Sequence, residues 1–199
     1  MKLRHSPTSP FVRKVRLAAA VLGQALELEP ADTLDPNDSL RQQNPLGKIP
    51  ALLTEDGMVL FDSPVILAYL DQLAGGGRII PTDPAARFAA LRMEALADGM
   101  MDAGILRIYE GRFRPAERHE PKWLEHQAQK MERALDAFEA APPVASGAIH
   151  VGDIALGSAL GWFDFRFEGK WRADRPKLVA WFDDFVGRCP GFAETKPVG

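Results

Sequence analysis

The sequence is poor in several features that define common protein classes. One cysteine in 199 residues excludes an internal disulfide framework and fits a reducing compartment, so we expect a cytoplasmic protein. The four histidines are scattered without metal-ligand spacing, and we expect no metal. No segment approaches the ~18 apolar residues of a membrane span. The first residues also lack the apolar core of a signal peptide.

Charge and composition narrow the remaining classes. The formal net charge is −3, so no basic excess indicates a nucleic-acid partner, and we expect neither nucleic acid nor membrane to be bound. Hydrophobic residues make up 46% and charged residues 26%, as in ordinary globular proteins. The length allows one large domain or two small ones.

Residues 44–64 are the most informative stretch. Two apolar runs separated by Thr54-Glu55-Asp56-Gly57 predict a β-hairpin. Because proline cannot donate to a strand ladder, Pro50 predicts a strand entrance and a cis peptide bond after Ile49, whose backbone N–H and C=O then face outward. The second run leads into Asp62-Ser63-Pro64, which predicts a helix start. A free backbone edge, a carboxylate and a helix N-terminus together predict a small-ligand site.

The patterns in the first 76 residues predict an α/β unit. Ser9-Pro10 predicts the N-cap and first residue of a helix that Gly23 ends, and its charged positions are interpreted as a solvated face: Arg13, Lys14 and Arg16. The other patterns predict a strand at 1–5, a parallel strand at 26–29, a short helix at 39–44 and a helix from Pro64 to the glycines at 75–77.

Only helical patterns follow the glycine-rich stretch. They predict helices at 85–110, around 124–138, at 153–163 (apolar on all sides, hence central) and from Pro176. We therefore predict an α/β N-terminal domain at 1–76, a linker at 77–84 and an all-α helical bundle at 85–199.

Three short motifs in this order resemble the soluble glutathione transferases. They are Ser9-Pro10-Phe11, Asn44-Pro45-Leu46-Gly47-Lys48-Ile49-Pro50 and Phe61-Asp62-Ser63. The resemblance covers essentially the whole chain. It implies a thioredoxin-like N-terminal domain, a helical-bundle C-terminal domain, glutathione as co-substrate, a small apolar electrophile as second substrate, and a homodimer.

The resemblance also implies residue roles. Ser9 matches the catalytic position, where its hydroxyl would donate a hydrogen bond to the glutathione sulfur and hold it as thiolate. The remaining positions would bind glutathione: Phe11 beside Ser9, Lys48 at the glycyl carboxylate, Ile49 and the cis-proline Pro50 at the cysteinyl backbone, and Asp62 and Ser63 at the γ-glutamyl group.

Several residues have a structural alternative. Ser9 can be only a helix cap, and Ser6 could contact the sulfur instead. Asp62 and Ser63 can likewise serve as caps. Methionines 100 and 101, with Tyr109, fit either an electrophile pocket or the core. Cys189 is interpreted as an inert packed thiol.

Two departures from the family pattern are visible. The positions of the two glutaredoxin cysteines hold Ser9 and Val12, so mixed-disulfide chemistry is not expected. His150 stands three residues before Asp153, where the family has Ser or Thr, and we expect an altered capping box there.

The leading hypothesis is a glutathione transferase that conjugates glutathione to an apolar electrophile, with peroxide reduction as a further reaction. The alternatives are a non-catalytic binding or carrier module of the same fold and a glutathione-dependent isomerase or dehalogenase. Generic apolar residues build the electrophile pocket, so the sequence leaves these open.

Overall fold

The structure, a computed structural model, describes residues 1–145 and 147–198. It begins with a four-stranded sheet of order β2-β1-β3-β4, formed by β1 (Lys2–His5), β2 (Glu27–Pro30), β3 (Ala51–Leu53) and β4 (Val59–Leu60). β1 and β2 are parallel, and β3 runs antiparallel to both β1 and β4. The predicted parallel pair and the predicted hairpin are confirmed.

Helices account for most of the remaining chain, and all the predicted ones are confirmed. They are α1 (Pro10–Val21), α2 (Leu40–Gln43), α3 (Ser63–Leu73), α4 (Pro84–Phe113), α5 (Pro121–Ala140), α6 (Val151–Arg166) and α7 (Pro176–Arg188). From α4 onward the described residues contain no strand. They also contain no helix with the length and apolar character needed to cross a bilayer.

Local capping explains where α1 begins and ends. The Ser9 hydroxyl accepts a hydrogen bond from the Val12 N–H at 3.3 Å, and Pro10 occupies the first helical position. The helix ends just before Gly23, whose φ of 68° suits a residue without a side chain. Proline is also the first residue of α4, α5 and α7, and in α3 it is the second.

The interpretation of the α1 charges as a solvated face was wrong for two of the three. The side chains of Arg13 and Lys14 are 4% and 0% exposed, whereas Arg16 is partly exposed. The physical reason is that α1 packs between the sheet side and the helical half, contacting both α3 and α6. Arg13 lies 4.1 Å over the Phe192 ring and donates to the Phe192 carbonyl at 3.1 Å.

α6 is the buried centre of the helical half, as its all-round apolar sequence predicts. Nearly all its side chains from Val151 to Phe163 are buried, and it contacts α1, α4 and α7. Glycines allow this close packing: a Cβ at Gly157 would overlap the ring of Phe185, and one at Gly161 would overlap the Arg13 guanidinium.

The start of α6 carries the altered capping box that His150 predicts. The His150 Nδ1 accepts a hydrogen bond from the Asp153 N–H at 3.3 Å, and Asp153 Oδ2 accepts one from the His150 N–H at 3.0 Å. An imidazole nitrogen thus replaces the usual hydroxyl, and both backbone donors remain satisfied.

The other structural interpretations agree with the packing. Met100 and Met101 are 1% and 0% exposed and belong to the core. Cys189 is buried, and burial raises the pKa of its thiol to about 12, which keeps it protonated and unreactive.

Replacing Gly157 tests how tightly α6 packs. Alanine has the higher helix propensity by about 1 kcal/mol, yet we expect Gly157→Ala to lower the unfolding free energy by about 1–3 kcal/mol because its methyl group meets the Phe185 ring. Denaturant unfolding measures the difference.

Gly187→Ala is the matched control, since nothing lies within 4 Å of a Cβ at that exposed position of α7. It should be neutral or slightly stabilising. Equal stability of the two variants would contradict the close contact.

Candidate functional site

A cavity of about 770 Å³ lies between the two halves of the chain. One wall comes from the loop before α1, the first residues of α1, the loop after β2 and the segment before β3. The opposite wall comes from α4 and α6. The main lining residues are Ser6, Thr8, Ser9, Phe11, Asp32, Leu34, Lys48, Ile49, Asp102, Ile105, Leu106, Tyr109, Arg112, Trp162 and Arg166.

Both candidate serines line the cavity. The Ser9 hydroxyl accepts from the Val12 N–H, and no acceptor for its own proton is found among the described residues. The Ser6 hydroxyl lies 3.3 Å from that of Thr8. Ser9 therefore combines a free O–H donor with the positive end of the α1 dipole, whereas the Ser6 hydroxyl already has a partner.

Two side chains of α6 fix the segment that carries Ser9. The indole N–H of Trp162 donates to the Thr8 carbonyl at 3.1 Å, and the buried Ser158 hydroxyl donates to the Pro10 carbonyl at 2.8 Å. Sequence reasoning missed both hydrogen bonds because each joins residues about 150 positions apart along the chain.

The segment before β3 presents the backbone of Ile49 to the cavity. The Ile49–Pro50 bond is cis, as predicted. Among residues 1–145 and 147–198, no hydrogen bond uses the N–H or C=O of Ile49. The buried Asn44 shapes this loop, since its side chain donates to the Lys48 carbonyl at 2.8 Å and accepts from the Leu46 N–H at 3.0 Å. Sequence reasoning gave Asn44 no such role.

Only some of the residues predicted to bind glutathione line the cavity. Ser9, Phe11, Lys48 and Ile49 line the cavity, while Pro50 is buried behind it. The other two lie beyond its edge at the start of α3, where Asp62 is exposed and makes no capping hydrogen bond. Ser63 is 1% exposed, with its hydroxyl 3.3 Å from the Lys14 ammonium.

Lys14 connects three elements beneath the cavity. Its fully buried ammonium lies 2.7 Å from Asp98 Oδ2 and 2.8 Å from Glu94 Oε1, both on α4, as well as near Ser63. One cation thus faces two carboxylates. Burial raises the pKa of Asp98 to about 6, and the charge of Glu94 adds to the effect. The Glu94–Asp98 pair on one face of α4 was a signal that the sequence offered.

Asp102, one turn beyond Asp98, is a further acidic group in the cavity that the sequence analysis missed. Burial raises its pKa, Lys48 opposes the rise, and the negative charge of Asp62 adds to it. Asp102 therefore places a carboxyl group in the cavity lining that also includes Lys48.

The wall from α4 and α6 is mainly apolar and aromatic. Ile105, Leu106, Tyr109 and Trp162 face the cavity. Of the three residues with an open assignment, Tyr109 lines the cavity and the two methionines lie in the core. At the outer end of this wall lie two arginines, Arg112 and Arg166.

A small mixed sheet with helices, joined to a helical half across a cavity, defines the thioredoxin-like plus helical-bundle class of protein. The protein-family model described as "Glutathione S-transferase, N-terminal domain" matches residues 3–78. A second family model, described as "Glutathione S-transferase, C-terminal domain", matches residues 121–184.

Full-length relatives agree with the family models. The uncharacterized GST-like protein YibF of Escherichia coli K12 is 35% identical over 99% of this chain and 98% of its own. A glutathione transferase family member from Pseudomonas fluorescens Pf-5, solved with bound glutathione, is 42% identical with a TM-score of 0.91, over 100% and 99% of the two chains. A second structure of a family member from this organism holds S-(propanoic acid)-glutathione. It is 40% identical with a TM-score of 0.88, over 100% of this chain and 100% of its own. The chain belongs to the glutathione S-transferase family.

The burial of Asp98, with a smaller contribution from the charge of Glu94, predicts a pH-dependent stability. The folded-state pKa of Asp98, about 6, lies above its ordinary 3.8, so its contribution is fully present below pH 3.8 and is lost as the pH rises through 6. Asp98→Asn removes this titrating carboxylate. We therefore expect the unfolding free energy of the variant minus that of the parent to rise by roughly 2 kcal/mol as the pH increases from 4 to 7.5.

Denaturant unfolding of parent and variant across this pH range measures the difference. Asp174→Asn is the control, since Asp174 is exposed and makes no ion pair with the described residues. Its difference from the parent should be flat with pH. A flat difference for Asp98→Asn as well would mean that Asp98 stays ionised in the folded protein.

Proposed function

We propose that the protein is a glutathione transferase that ionises glutathione at Ser9 and transfers it to an electrophile held against α4 and α6. The observation that carries the proposal is the position of a free hydroxyl, at the N-terminus of α1, in the same cavity as the unpaired backbone of Ile49. The relative from Pseudomonas fluorescens holds glutathione, which supports this ligand.

Glutathione would bind in an extended form along the first half of the chain. Its cysteinyl N–H and C=O would pair with Ile49 beside the cis-proline Pro50. The ammonium of the γ-glutamyl group would meet Asp62, and its carboxylate would meet Ser63 and the N–H groups at the start of α3. Lys48 would face the glycyl carboxylate, and Phe11 would pack beside the cysteinyl methylene.

Asp102 fits the same scheme. Asp102 lines the cavity and is affected by the charge of Asp62, so both carboxylates would be available to the γ-glutamyl ammonium. Lys14 would act through Ser63, because its ammonium lies 3.3 Å from that hydroxyl and holds it in place.

The energy of one hydrogen bond from Ser9, together with that of the helix N-terminus, is sufficient to ionise a bound thiol at neutral pH. A free thiol has a pKa of about 8.5, and lowering it by ~2 units requires about 2.7 kcal/mol of thiolate stabilisation. One hydrogen bond to an anion gives roughly 1.5–3 kcal/mol, and a helix N-terminus adds about 0.3–1 kcal/mol. The bound thiolate then needs only a nearby electrophile.

The reaction would be nucleophilic substitution or addition by the glutathione sulfur, with peroxide reduction as a second reaction. Ile105, Leu106 and Tyr109 suit an apolar or aromatic acceptor. The relative that holds S-(propanoic acid)-glutathione binds a glutathione derivative substituted at sulfur, which supports a site for such conjugates. A panel of aryl halides, epoxides, isothiocyanates and hydroperoxides would define the acceptor. Glutathione binding without any turnover would favour the carrier alternative.

A cytoplasmic homodimer is part of the proposal, as is the division into a glutathione-binding domain at 1–76 and a helical domain at 85–199. Two large apolar side chains support the dimer. Leu46, before β3, is 68% exposed, and Phe88, in the second turn of α4, is 70% exposed. Contact between Leu46 of one subunit and Phe88 of the next would bury both.

Removing the Ser9 hydroxyl tests the thiolate mechanism. We expect Ser9→Ala to raise the pKa of bound glutathione by about 1–2 units and, because the thiolate fraction at pH 7 falls accordingly, to lower kcat by roughly 3- to 25-fold. Glutathione affinity should change little, because the peptide contacts remain. Thiolate absorbance against pH and steady-state kinetics measure the two effects.

Ser9→Thr keeps a hydroxyl and the helix cap, and should retain most activity. Ser6→Ala should retain it as well. A large loss of kcat in Ser6→Ala with none in Ser9→Ala would assign the role to Ser6. If Ser9→Ala, Ser9→Thr and Ser6→Ala all turned over at the parent rate, neither hydroxyl would take part in the mechanism.

The dimer is tested by charge at the proposed contact. Phe88→Glu should shift the protein to a monomer in sedimentation velocity, because the glutamate cannot be buried unpaired. Val144→Glu is the control, since Val144 is also exposed, at 78%, and lies outside the proposed contact. A monomeric parent protein would reject the proposal.

A further inference from the structure

Two arginines at the outer end of the cavity have no ionic partner. Arg112 lies in the last turn of α4 and Arg166 is the last residue of α6, and both line the cavity. Within residues 1–145 and 147–198, neither guanidinium lies within 4.0 Å of a carboxylate or makes a hydrogen bond. Their charges are therefore available to a ligand.

The two charges lie close enough to influence each other. Burial lowers the pKa of Arg166, and the positive charge of Arg112 lowers it further. Each guanidinium also rests on an aromatic ring, with Arg112 Cζ 5.7 Å from the Tyr109 centroid and Arg166 Cζ 4.4 Å from that of Phe165. The rings orient both groups. Two oriented like charges without a counter-ion favour the binding of an anion.

The acidic residues of the cavity are engaged elsewhere. The Asp32 carboxylate accepts a hydrogen bond from the Leu34 N–H at 2.8 Å. Asp102 lies at the inner edge, where the charges that act on its pKa are those of Lys48, Asp62 and Lys14. Neither acid forms an ion pair with the two arginines. The outer end of the cavity therefore carries net positive charge.

We propose that the electrophile carries a carboxylate, which Arg112 and Arg166 bind while its apolar body lies against Leu106 and Tyr109. This inference rests on the proposed transferase function and names its substrate class. The planar fork of an arginine matches the two oxygens of a carboxylate. The apolar wall between these arginines and Ser9 sets the distance between the anionic group and the reacting carbon.

The glycyl carboxylate of glutathione is a competing ligand for the same arginines. It is expected on the opposite wall, because Lys48 lies next to the Ile49 backbone that would hold the cysteinyl group. Binding of glutathione alone therefore separates the two possibilities, since only a glycyl contact would make its affinity depend on Arg112 and Arg166.

A matched pair of acceptors tests the proposal: 4-chloro-3,5-dinitrobenzoate and its methyl ester. In both, the glutathione thiolate forms a C–S bond at the ring carbon that bears chlorine, and chloride leaves with the C–Cl bonding pair. Each enzymatic kcat/KM is divided by the rate constant of the uncatalysed reaction with glutathione. This ratio removes the difference in intrinsic reactivity between acid and ester.

Binding of the two products is measured by calorimetry, independently of turnover. We expect the carboxylate conjugate to bind at least about tenfold more tightly than the ester conjugate at low salt, with the preference shrinking as salt is added. Each of Arg112→Ala and Arg166→Ala should reduce the preference about three- to tenfold, and the double variant should abolish it. Arg133→Ala, an exposed position on α5 outside the cavity, should leave it unchanged.

Three results would overturn the proposal. They are equal affinity for the two conjugates, a preference that survives in the double variant, and a loss of affinity for glutathione itself that matches the loss for the conjugate. Failure of the transferase function looks different, because neither acceptor would then be turned over. If the conjugates were still discriminated through the two arginines in that case, the carboxylate site would stand as a ligand site without the reaction.

Discussion

The buried ammonium of Lys14 is the interaction on which the arrangement of the two halves depends. A charge with no exposure is tolerated only where opposite charges surround it, and here Glu94 and Asp98 of α4 supply them. Because Lys14 lies on α1, the pairing fixes α1 against α4. The cavity lies directly between these elements, so its shape follows from the same contacts.

The second half also determines where Ser9 lies. Trp162 and Ser158 of α6 hold the carbonyl groups of Thr8 and Pro10, one on either side of Ser9. The hydroxyl that would activate the thiol therefore belongs to the first half of the chain, but its position depends on the second.

The two walls of the cavity have different chemistry. The wall near Ile49 offers backbone groups and single polar side chains, which suit a peptide of fixed structure. The opposite wall offers apolar surface that ends in two arginines. One wall thus suits a constant co-substrate, whereas the other determines which acceptors are accepted.

Short-range patterns determined most of the fold. The cap at Ser9, the turn at Gly57 and the cis bond before Pro50 each depend on residues within a few positions of one another. The sequence alone could therefore place each α-helix and strand that the structure describes, as well as the Ile49 edge. Only the tertiary structure decided the rest: the burial of Lys14, the contact of Ser63 with it, and the meeting of Asp102, Arg112 and Arg166 with Ser9 in one cavity. These residues lie about 100 or more positions apart, or depend on which surface covers α1, and no local pattern contains that information.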